Sequence, residues 1–91
     1  MSDQELLGMI KVDLGISKTA YDTRLGQMIE AAKESIEEEG ATLDLTSYND
    51  AQIVVMYVEW MWRRRDTMEQ MPRMLRYKLN NRILSEKMKN D

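Results

Sequence analysis

Ninety-one residues, 43% hydrophobic and 32% charged with one proline and four glycines, suffice for one folded domain with a modest core and exclude a second domain or a disordered tail. The chain has no cysteine and no histidine, which excludes disulfides and a thiol nucleophile and removes the commonest general base and metal ligand. The net charge of −3 is unevenly divided: residues 1–50 hold four bases and eleven acids, net −7, and residues 51–91 hold nine bases and five acids, net +4, an asymmetry suited to complementary protein surfaces.

Ser2 followed by Glu5 is a capping box, and Leu6, Leu7, Ile10 and Leu14 repeat at helical spacing until Gly15, which predicts a first helix over about residues 3–14. After the connection ISKTA, Tyr21, Leu25, Met28, Ile29, Ala32 and Ile36 share one arc of a second helix, about 20–39, that ends at Gly40. Its other side carries Gln27 and the acidic strip Glu30, Glu34, Glu37 and Glu38, whose like charges repel at i,i+4 and crowd the negative end of the helix dipole. Such a strip is either a solvated face or a surface that a basic partner compensates.

ATLDLTSYND reads as a loop, with Ser47 and Asp50 as a cap for a third helix over about 48–66. A strand competes there, because Ile and Val favour sheets, but no turn signal breaks the segment and no second strand exists to pair with it. Ile53 to Trp62 is apolar nearly all round, so the helix must be covered all round, either by the other helices or partly by a neighbouring subunit. Arg63, Arg64 and Arg65 close it, where cations suit the dipole; consecutive helical positions diverge by about 100°, so they cannot form one flat patch.

Pro72 opens a fourth helix, about 72–88. Leu75, Leu79 and Ile83 form its core stripe, Met74, Tyr77, Leu84 and Met88 a second apolar strip, and Arg73, Arg76 and Lys87 a basic line with Asn80. The expected fold is all-α, a compact bundle of about four helices in a single domain, residues 1–91.

MSDQELLGMIK places acids where a secretory leader needs bases. AQIVVMYVEWMW, interrupted by Glu59, falls short of the roughly 20 residues that span a bilayer. The expectation is an intracellular protein without a membrane segment. No phosphate loop, zinc spacing, calcium loop or nucleophile elbow is present, and the helix-two glutamates lie opposite the apolar arc without a dry cavity, so no enzyme, cofactor or metal is expected.

Four segments carry a resemblance across nearly the whole chain: LLGMIKVDLGI, then YDTRLGQMIEAAKESIEEEG with its D-x-x-L-x-x-x-I-x-A-A pattern, then DAQIVVMYVEWMWRRRD and MPRMLRYKLNNRIL. Together they resemble the small helical head-tail connector, or adaptor, proteins of tailed bacteriophages and prophages. The resemblance implies a structural subunit of a homo-oligomeric ring, about a dozen copies in the virion, docked beneath the portal at the head-tail junction. It implies as partners the portal protein and a downstream head-completion or tail protein, with DNA passing through the channel without sequence-specific binding, and the host cytoplasm as the location before assembly. The chain departs from the pattern in its brevity after the fourth helix, where SEKMKND is shorter than the arms with which some relatives grip the portal.

A ring needs two different, complementary surfaces on each subunit. The candidate contact residues are Glu30, Glu34, Glu37 and Glu38 on one side, and Trp60, Trp62, Arg63, Arg64, Arg65, Arg73, Met74, Arg76 and Tyr77 on the other. Two other readings stand beside this one. In the first, a small DNA-binding regulator reads the duplex with helix four, supported by Arg73, Arg76, Arg82 and the cluster Arg63, Arg64 and Arg65, against which the pI near 5.0 and the carboxylates of helix two weigh; in the second, the chain is a helical antitoxin or chaperone-like partner protein.

Overall fold

A computed structural model describes residues 1–90, apart from the side chains of Asp66 and Asn90. It is all-α: α1 (Asp3–Leu14), a 3-10 turn (Thr19–Tyr21), α2 (Asp22–Glu38), α3 (Tyr48–Thr67) and α4 (Arg73–Asn90), without a strand among the described residues.

The first helix begins and ends by local chemistry. Ser2 Oγ accepts from the Glu5 amide while the Glu5 carboxylate accepts from the Ser2 amide, so the capping box is complete. Gly15 takes the left-handed conformation, φ 72°, and its N–H reaches the carbonyls of Lys11 and Val12. α2 starts two residues later than the expected residue 20, because Thr19–Tyr21 tighten into a 3-10 turn and leave Tyr21 outside the helix. Pro72 lies just before α4; its carbonyl accepts from the Arg76 amide at 3.1 Å and so closes the first turn.

The expected Ser47–Asp50 cap is not made. Ser47 has the extended backbone of an N-cap, but its side chain bonds no helix amide. Asp50 turns inward instead, only 2% exposed, where it accepts from the Asp44 amide at 2.8 Å and from Arg82 Nε at 2.8 Å. A buried carboxylate needs a cation more than a helix end needs a cap, since an unpaired buried charge costs several kcal/mol and a cap about 1.

Leu6, Ile10, Leu25, Ile29, Ile36, Val54, Val58, Leu75 and Leu79 are fully buried in one contiguous core. α3 is its axis, packed by α1, α2 and α4. Of the two ways to cover its apolar circumference, the chain uses its own helices: Ile53, Val54, Val55 and Val58 are buried, and Met56, Met61 and Trp62 are half-buried. The chain has a radius of gyration of 13.2 Å and extents of 46 × 28 × 18 Å.

Candidate protein-interaction surface

The tryptophan and arginine segment resolves into contacts within the chain. Trp60 is a core residue, 8% exposed, and its Nε1 donates to the Glu69 carbonyl at 2.9 Å, tying the end of α3 to the following loop. It meets Tyr57 edge to face at 5.4 Å. Trp62 is half-buried and meets Tyr21 in the same way at 5.2 Å.

The arginines lie over these rings and beside their own helix. The Arg64 guanidinium sits 4.7 Å from the Trp60 ring centre and that of Arg65 3.9 Å from the Trp62 ring centre. Arg63 approaches Glu59 at 3.9 Å. All three are exposed at different azimuths, as their consecutive positions require. Trp60 is therefore removed from the candidate contact residues, and the arginine cluster is a stacked helix end.

Glu30, Glu34, Glu37 and Glu38 are all exposed on α2, so the acidic strip exists as a surface. Glu30 shares Lys33 with Asp3, at 3.4 and 2.5 Å. Arg76 is instead paired within the chain to an acid next to this strip: its Nη1 donates to Glu39 at 2.7 Å. Arg73 is exposed without an ion pair among the described residues.

On α4 the two apolar strips separate cleanly. Leu75 and Leu79 are buried, with Ile83 packed against the core, whereas Met74, Tyr77, Leu84 and Met88 are exposed along one line. Arg82 belongs to neither basic line nor surface. Its Nη1 donates to Glu86 at 3.0 Å and its Nη2 to the Thr42 carbonyl at 2.5 Å, while Nε holds Asp50. Asp50 and Glu86 push its pKa further above the usual guanidinium range.

Two features escaped the sequence reading. Glu59, on the apolar helix, is nearly buried, with Oε2 lacking a hydrogen-bond partner. Burial, then the adjoining Asp13 carboxylate, raises its pKa to about 7 against the opposing pull of Arg63. The only sequence signal was a single acid inside an apolar run. The second feature is a depression of about 560 Å³ on α1 lined by Met1, Glu5, Gly8, Met9, Val12 and Asp13. Met9 and Val12 fall off the Leu6, Ile10, Leu14 arc, so a helical projection could have found it.

Among the described residues no group of three or more His, Cys, Asp or Glu could hold a metal, and no helix is long and apolar enough to cross a membrane. The surfaces offered are thus apolar strips with charged borders. No family model, curated protein or solved structure matches the chain.

Proposed function

We propose that this chain is a self-assembling structural subunit, a head-tail connector of a tailed bacteriophage or prophage that forms a ring beneath the portal and continues the DNA channel. The observation that carries the self-assembly is the exposed strip Met74, Tyr77, Leu84 and Met88 on a helix whose other apolar stripe already fills the core. Four large apolar side chains aligned in water mark an interaction site. The connector assignment adds to this the four-segment resemblance. No catalytic step is part of the proposal, and its partners are copies of itself, the portal and a tail-side protein.

The regulator reading is weakened, because Arg82, one of the three helix-four arginines it uses, is engaged within the fold by Asp50, Glu86 and the Thr42 carbonyl. Sedimentation of the chain alone and with portal rings from the same phage tests the proposal, alongside a DNA mobility assay. Expected are rings or concentration-dependent oligomers, co-sedimentation with the portal, and no sequence-dependent DNA binding at roughly 150 mM salt. A chain that ignores the portal and binds one duplex sequence at submicromolar concentration overturns it.

A further inference from the structure

Met74, Tyr77, Asn81, Leu84 and Met88 alternate by three and four residues, the spacing of a seam that packs against another helix. The seam runs about 21 Å along α4 at 1.5 Å per residue. Arg73, Lys78 and Lys87 flank it and have no ion pair among the described residues. Two such seams laid together would oppose cations with cations, so the seam is poorly suited to a copy of itself.

The depression on α1 has the opposite border. Met9 and Val12, the latter 80% exposed, form its apolar floor, with Glu5 toward one end and Asp13 at the other. α1 is about 18 Å long, close to the length of the seam. At its centre is Gly8, where a Cβ would meet nothing within 4 Å. Nothing inside the subunit requires a glycine at that helical position, which weakens α1 relative to alanine; its bare backbone admits a close approach from outside.

We propose that the apolar seam of α4, with its basic flanks, lies in the acid-bordered depression on α1 of the next subunit, a head-to-tail contact that repeats around the assembly. It rests on the self-assembly reading and names the surfaces used. Both helices pack on α3 with other faces, so each subunit presents both halves at once. The acidic strip of α2 has no part in the contact.

Two variants block one half each at exposed positions: Gly8→Arg, with Val12→Lys as its companion, and the double variant Tyr77→Glu, Leu84→Glu. Circular dichroism checks that each keeps its helices. By native mass spectrometry, each variant alone stays monomeric at concentrations where the natural chain assembles, its self-association weakened roughly tenfold or more. An equimolar mixture of Gly8→Arg with the double variant gives a one-to-one dimer that grows no further, since one intact α4 and one intact α1 remain. Persistent self-association of Gly8→Arg alone, or a monomeric mixture while the natural chain assembles, overturns this contact and leaves the ring intact. A natural chain that stays monomeric overturns the contact, and its capture by portal rings, measured separately, decides the connector reading.

Discussion

Asp50 lies in the core, and Arg82 reaches it from α4 while also bonding Glu86 and the Thr42 carbonyl, so one side chain joins α4, the start of α3 and the loop between α2 and α3. Replacing Arg82 alone leaves a carboxylate without its cation, and Arg82→Met is expected to lose about 3–5 kcal/mol. The double variant Arg82→Met, Asp50→Leu removes the charge as well and should recover most of that loss, a comparison read by urea denaturation. Glu59 responds to pH in the opposite sense from the other perturbed carboxylates. Its native pKa of about 7 lies above the ordinary 4.5, so the native state holds the proton more tightly than the unfolded chain. Stability from this group is full below the ordinary value, falls as pH rises toward 7 and levels off above. Asp3, Glu5, Asp44 and Glu86 are shifted down, and their contributions fade only as pH falls through their lowered values. The two sets therefore act on opposite sides of the ordinary carboxylate range. Glu59→Gln should be more stable than the natural chain at pH 8, by roughly 1–3 kcal/mol, and nearly equal to it at pH 5; equal stabilities at both would show that Glu59 stays ionised when folded.

At the scale of the element, the helices differ in how their ends are made. α1 carries a complete capping box and a glycine in the left-handed conformation. α3 ends on Met68, a non-glycine residue at φ 57° whose N–H bonds the Arg64 carbonyl and whose side chain is exposed. A left-handed methionine costs about 1 kcal/mol and here wins no packing in return. Met68→Gly should therefore raise the melting temperature, corresponding to roughly 0.5–1 kcal/mol, with no change in helix content by circular dichroism. A lower melting temperature would mean that the added freedom of the unfolded chain outweighs the relieved strain.

For the whole molecule, a charge reversal on α2 separates the proposed assembly surfaces from a solvated face. Glu34→Lys converts the repelling neighbours Glu30 and Glu38 into i,i+4 partners of opposite sign and should stabilise α2 by about 0.2–0.5 kcal/mol per pair at low salt. If the contact is made by α1 and α4, the same change leaves the assembly constant untouched in sedimentation. If helix-two acids face a neighbour's bases, assembly weakens while the subunit becomes more stable. The two measurements move independently, so fold stability cannot mask the result.

Hydrophobic spacing, caps and turn residues determined the number, order and approximate limits of the helices, because each signal acts within a few residues along the chain. The apolar circumference of α3 likewise determined that it must be enclosed. Only the tertiary structure decided how: α1, α2 and α4 cover it within the chain, which leaves the aligned apolar strip of α4 exposed. The same holds for charges whose partners are distant in sequence. Arg82 and Asp50 are 32 residues apart and Arg76 and Glu39 are 37 apart, and neither spacing carries a local signal. An arginine near the end of a chain reads alike whether it faces water, a phosphate or a buried carboxylate, and packing alone brings one of them within 3 Å. Trp60 follows the same rule, since the carbonyl that satisfies its indole becomes available only when the chain turns back after α3.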